Sequence, residues 1–91
     1  RQERSVATRG RDVISVLFFG PVAEAVGKGR VEVAYRPGLR LQDLREQLQA
    51  RYPQAFALVA LAAVDGEHQR DFSVILQDHC EVVFMSRFSG G

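Results

Sequence analysis

The chain has 91 residues, 46% apolar and 25% charged, which is the composition of one globular domain with a modest core and no room for a large enclosed substrate cavity. Residues 1–12 hold four of the 12 basic and two of the 11 acidic side chains, so the net charge of +1 becomes −1, eight against nine, once they are set aside. That balance lacks the basic surplus that neutralises nucleic-acid phosphates.

Residues 1–11 are polar and without hydrophobic periodicity, and read as a disordered N-terminal extension to a domain over 12–86. Residues 12–19 (DVISVLFF) are β-branched and aromatic, the pattern of a buried strand. Gly20-Pro21 ends it, and residues 22–26 suit a short helix closed by Gly27. Residues 30–35 (RVEVAY) alternate polar and apolar, as a strand with one wet face does.

Leu41, Leu44, Leu48 and Tyr52 then recur at spacings of three and four, so the main helix lies here. Leu39 is placed to staple onto Leu44, Asp43 and Arg51 complement the helix dipole, and Pro53 stops the helix. Arg40 stands where Ser or Thr would normally cap, which leaves the helix start only modestly specified.

A short helix over 55–58 leads to a strand at 61–64, and Asp65-Gly66 is the signal of a tight hairpin. The returning strand is expected to pass Phe72 and reach Leu76, with a polar turn at 77–79 and a last apolar strand at 81–85. One helix crossing between strands favours an α+β domain, with a mixed sheet of about four to five strands and one main helix packed on one face. If the first and last strands lie side by side in the middle, both should be nearly all apolar, and both are. That arrangement is a β-grasp.

Catalytic constellations are scarce. Gly20–Gly27 with Lys28 superficially suggests a phosphate loop, but six residues separate the glycines and Gly29 follows the lysine. The phosphate-binding pattern needs four and a Ser or Thr, so a helix end and a turn is the better reading, and no cofactor is expected to bind. Cys80 has His79 beside it, yet neighbours on an extended chain point to opposite sides, and no helix N-terminus or Arg cluster lowers its pKa. His68 and His79 have no partners at metal-ligand spacing. Glu67, Asp71 and Asp78 read as solvated surface. The domain is therefore expected to be a carrier or binding subunit without an active site of its own.

A single cysteine permits no intrachain disulfide, which fits a reducing compartment. The longest apolar stretch, 55–64, is too short to span a bilayer and lacks signal-peptide flanks. The expectation is a cytoplasmic protein that contacts neither membrane nor nucleic acid.

The sequence closes on Arg87-Phe88-Ser89-Gly90-Gly91, expected to form a flexible tail. Glycines that cap nothing suit a segment that threads a narrow channel and presents its own α-carboxylate. Five extended residues reach about 17 Å. Arg87 can pair with an acidic rim, and Phe88 can fill an apolar pocket at its entrance or pack back onto its own domain.

Several segments together resemble one family: Val16-Leu17-Phe18-Phe19-Gly20 with Glu24 and Gly27, the Leu-rich helix at 41–48, Ala62-Ala63-Val64-Asp65-Gly66-Glu67, Leu76-Gln77-Asp78, Glu81-Val82-Val83-Phe84 and Ser89-Gly90-Gly91. The pattern over 13–91 is similar to the MoaD/ThiS sulfur carriers, ubiquitin-like proteins of the β-grasp fold, and most like the small subunit of molybdopterin synthase. Departures are Ala23 and Ala25 around Glu24, His79-Cys80 in place of Gly-Asp, and Ser86-Arg87-Phe88 in place of Pro-Pro-Val.

The resemblance implies that Gly91 is adenylated by a ubiquitin-activating-enzyme-like adenylyltransferase using ATP. A persulfide donor then converts it to a thiocarboxylate for the molybdopterin synthase large subunit or an equivalent acceptor. Arg87, Phe88, Ser89 and Gly90 would be the partner-binding tail. Carriers for thiazole, cysteine or thio-tRNA synthesis, and modifiers joined to lysines through Gly91, use the same activated carboxylate.

Overall fold

A computed structural model describes residues 13–87 of the chain. The expected N-terminal extension at 1–11 lies outside them. In chain order the elements are β1 (Val13–Phe18), α1 (Gly20–Val26), β2 (Arg30–Ala34), α2 (Leu41–Arg51), α3 (Pro53–Phe56), β3 (Leu61–Val64), β4 (Glu67–Gln69) and β5 (Glu81–Met85). They form one five-stranded sheet in the order β2-β1-β5-β3-β4. β1 and β5 are parallel neighbours at its centre, with Val16 opposite Val82 and Phe18 opposite Phe84, and the other pairs are antiparallel. This is the β-grasp arrangement that the two apolar strands imply.

Alternation decides which residues enter the core. Ile14, Val16 and Phe18 of β1 and Val82 and Phe84 of β5 are at most 2% exposed. They meet Leu41, Leu44 and Leu48, spaced along one face of α2, together with Leu39 and Val22. Phe18, Phe56 and Phe84 form an aromatic cluster, with Phe56 edge-on to Phe84 at 5.0 Å and Phe18 stacked on Phe84 at 6.5 Å.

Turn chemistry fixes the connections. Asp65 (φ 49°) and Gly66 (φ 85°) both take the left-handed backbone that a tight hairpin between β3 and β4 demands. The Asp65 carboxylate also accepts a hydrogen bond from the Glu81 amide at 2.9 Å, tying that turn to the start of β5. Helix α1 begins earlier than residue 22, because Pro21 suits a first helical turn where its missing N–H costs nothing. The expected short helix is shifted for the same reason and starts at Pro53.

The returning strand departs from expectation. β4 has three residues and ends at Gln69, and residues 70–76 cross to the start of α2. There the Val74 and Phe72 carbonyls accept the Leu41 and Gln42 amides at 3.0 and 2.8 Å, and the Leu39 carbonyl accepts the Leu76 amide at 2.8 Å. The first amides of a helix have no partner within it. The Arg40 side chain has no acceptor to offer them, so a distant segment caps α2 and is drawn off the sheet.

Arg40 takes part differently. Its guanidinium donates to the Ser73 carbonyl at 2.6 Å, and its amide donates to the Asp43 carboxylate at 3.0 Å. Asp71 is exposed but more than solvated surface. It accepts from the Ser73 hydroxyl and amide at 2.6 and 2.9 Å, and these bonds hold its pKa below the usual carboxylate value.

Phe84 touches the packing of both sheet and helices. Phe84→Ala should cost about 3–5 kcal/mol, a large part of the roughly 5–15 kcal/mol that stabilises a typical domain. Urea unfolding measures this, and a loss below about 1 kcal/mol would remove Phe84 from the centre of the core.

Candidate functional site: the sheet end and its outer face

β5 carries the chain out of the domain. Met85 is still paired with Leu61 of β3, and its carbonyl accepts the Ala60 amide at 3.0 Å. Ser86 follows, 9% exposed, and its hydroxyl has no hydrogen-bond partner among the described residues. Arg87 is exposed, as a residue for a partner's acidic rim must be. Phe88, Ser89, Gly90 and Gly91 lie outside the described residues, and so does the alternative of Phe88 packing on its own domain. The last described residues thus leave the sheet at the C-terminal end of its two central strands.

The same strands carry a feature that the sequence reading missed. Their apolar character suggested burial on both faces, but the two faces differ. Leu17, Val83, Met85, Leu61 and Ala63 point away from α2 and are only half-buried. Pairing makes them contiguous: Val83 lies opposite both Leu17 and Ala63, and Met85 opposite Leu61. Phe19 is extended (φ −130°, ψ 152°), continues the alternation onto this side and is 49% exposed. Arg30 bounds the patch beyond β1, bonded to Ser15 at 3.1 Å and to Glu32 at 3.3 Å. The signal was present in residues 12–19, which lack the polar alternation of a strand with one wet face.

Cys80 lies inside, 3% exposed, with its thiol pKa raised chiefly by burial. His79 is exposed in the left-handed region (φ 68°), and its ring nitrogen is 3.8 Å from the Asp78 carboxylate. No thiol–imidazole pair forms. His68 and Glu67 lie exposed on β4. One Asp78 oxygen is buried without a hydrogen-bond partner among the described residues. Gly27 (φ 92°) closes α1, and Gly29 supplies a carbonyl to Phe18, so this stretch is a helix end and a turn. Among the described residues there is no metal-ligating cluster and no helix long and apolar enough to cross a membrane.

The sequence profile of the ThiS family matches residues 16–91, most of the chain, from the second half of β1 to the Gly-Gly end. The chain belongs to the ThiS family. Its described sheet and helices are those of a ubiquitin-like β-grasp domain. No curated protein matches the sequence.

Solved structures share the ThiS-family frame. SAMP1 from Haloferax volcanii is 18% identical with a TM-score of 0.73, over 87% of this chain and 99% of that one. A chain of the complex of subunits 1 and 2 of the molybdopterin-converting factor from Helicobacter pylori is 18% identical, with a TM-score of 0.66 over 87% and 99%. Urm1 from Trypanosoma brucei is 18% identical, with a TM-score of 0.66 over 88% and 96%. At this identity the likeness is one of fold.

The buried thiol gives a direct check. Native protein at neutral pH should resist alkylation of Cys80 by iodoacetamide, whereas urea-unfolded protein reacts readily. Equal rates would place the thiol at the surface. A raised folded-state pKa also means that burial of the neutral thiol stabilises the fold below the ordinary thiol value, and that this contribution is lost as pH rises through the raised one.

Proposed function

We propose that this ThiS-family protein is a sulfur carrier whose reactive group is the α-carboxylate of Gly91, serving molybdopterin biosynthesis in the cytoplasm. The observation that carries the reading is the family match extending through Gly91, on a frame whose central strand runs into the tail beside an apolar outer face.

The chemistry follows from the carboxylate. With a pKa near 3.5 it is an anion at neutral pH and a poor electrophile. Attack on the α-phosphorus of ATP, in a ubiquitin-activating-enzyme-like adenylyltransferase, expels pyrophosphate and turns one oxygen into a leaving group. The terminal sulfur of a persulfide displaces AMP, and thiol cleavage of the resulting S–S bond leaves the thiocarboxylate. The acceptor is then the large subunit of molybdopterin synthase.

The body supports this by docking. Leu17, Val83, Met85, Leu61 and Phe19 offer a desolvating surface at the sheet end where the tail departs, so one partner can grip the face and receive the tail. Gly90 and Gly91 carry no Cβ to obstruct a narrow channel. Phe88 would anchor at its mouth.

A second reading uses the same activated carboxylate: an amide to a lysine, as in modifiers, the class that SAMP1 is named for.

Pyrophosphate exchange with the adenylating enzyme tests the proposal. Exchange should require this chain and vanish when Gly91 is deleted or one residue is added after it, while Cys80→Ala stays competent. Val83→Glu should raise the concentration for half-maximal exchange about tenfold, the equivalent of about 1.4 kcal/mol. Phe88→Ala should weaken large-subunit binding by about 2 kcal/mol with little loss of fold stability. Exchange that survives loss of Gly91 would refute the proposal.

A further inference from the structure

Lys28 is the sole lysine in the chain, the other permanently charged basic residues being arginines. This matters to a protein that carries an activated acyl group. A lysine amine that has lost its proton attacks an acyl carbon, whereas a guanidinium stays protonated and does not. Among the side chains only one amine can therefore capture the activated carboxylate.

The fold places that amine close to where the tail departs. Lys28 lies between Gly27 and Gly29 in the turn from α1 to β2, and all three residues are exposed. Space around the turn is open: a Cβ at Gly27 would meet no atom within 4 Å, and one at Gly29 only the Phe18 carbonyl at 3.9 Å. The Gly29 carbonyl accepts the Phe18 amide at 3.0 Å, and Phe18 pairs on its other side with Phe84. Gly29, in the turn just before β2, therefore lies in one row with Phe18 of β1 and Phe84 of β5, about 10 Å from Phe84 at the usual strand spacing. The seven residues after Phe84 reach about 24 Å when extended. The carboxylate of the same chain can reach the Lys28 turn with length to spare, and an exposed turn admits a second copy equally well.

We propose that Lys28 is the acceptor for the activated glycyl group of this protein, from its own tail or from a second copy, in competition with sulfur. The inference rests on adenylation of Gly91 as read above. The Lys28 Nζ lone pair forms a C–N bond to the Gly91 acyl carbon, and the C–O bond to AMP breaks. AMP leaves with the electron pair, and the amine proton passes to water. The product is an isopeptide bond, and a chain so joined no longer has the carboxylate needed to carry sulfur. Abundant persulfide yields carrier, and scarce persulfide yields the Lys28 amide.

The test uses the full 91-residue chain with ATP and the adenylating enzyme, with and without a persulfide donor, read by intact mass and peptide mapping. Without donor, the expected product has lost one water per linkage and yields a branched peptide joining Gly91 to Lys28. A monomer of reduced mass identifies the chain's own tail as the source, and a dimer identifies a second copy; either supports the proposal. Lys28→Arg keeps the charge and should abolish this product, yet gain sulfur normally when donor is present. If wild-type protein gains sulfur with donor but forms no Lys28 amide without it, or links through another amine, the Lys28 role is wrong and the carrier reading stands. If neither sulfur with donor nor an amide without it is gained, adenylation of Gly91 falls, and the acceptor role with it.

Discussion

The parallel pairing of β1 with β5 is the constraint on which the rest depends. It joins segments about 60 residues apart in sequence, and the backbone bonds are made between strands whose inner residues are fully apolar. Phe18 and Phe84 meet across this seam, and Phe56 closes over Phe84. Parallel strands need a crossover, and α1, β2, α2, α3, β3 and β4 together supply it. Because both central strands run the same way, the chain leaves at the end of the sheet where β1 also ends. Tail exit, outer apolar patch and the Lys28 turn share a neighbourhood for that single reason.

The crossover sets a second condition. α2 supplies Leu41, Leu44 and Leu48 to the core, but its N-terminus has no capping side chain to satisfy its first amides. Carbonyls from residues 72–74 do so, with Arg40 and Asp71 fastening that segment. The cap is long-range, so the helix start and the loop after β4 depend on one another. Loop order is gained at the expense of strand length. The molecule thereby keeps β4 short at the sheet edge, which also limits the unpaired edge open to association.

How much was legible in the sequence follows from how local each determinant is. β3, the Asp65-Gly66 hairpin, β5 and α2 rest on side-chain period and turn chemistry within a few residues, and the structure has them where the pattern puts them. The end of β4 was not legible, because it is decided by amides more than 25 residues away in α2. The apolar outer face was half legible. Leu17 and Val83 announce an apolar strand, but only the sheet order shows that α2 covers the opposite side. Cys80 could be set aside as a nucleophile from its setting alone, and its burial gives the physical reason. Of the tail, Arg87 is exposed, and the other four residues lie outside the described ones.

The chemistry assigned to the protein places its reactivity on the main chain and leaves its side chains to dock and to position. Such a division suits a small domain whose described interior is filled by aromatic and aliphatic packing. Its central claim is that sulfur is carried on Gly91. Tandem mass spectrometry of protein treated with ATP, its adenylating enzyme and a persulfide donor tests this most directly. The account predicts replacement of one oxygen by sulfur in the C-terminal fragment containing Gly91. Sulfur found on Cys80, or no gain of sulfur at Gly91 under conditions that support adenylation, would contradict it.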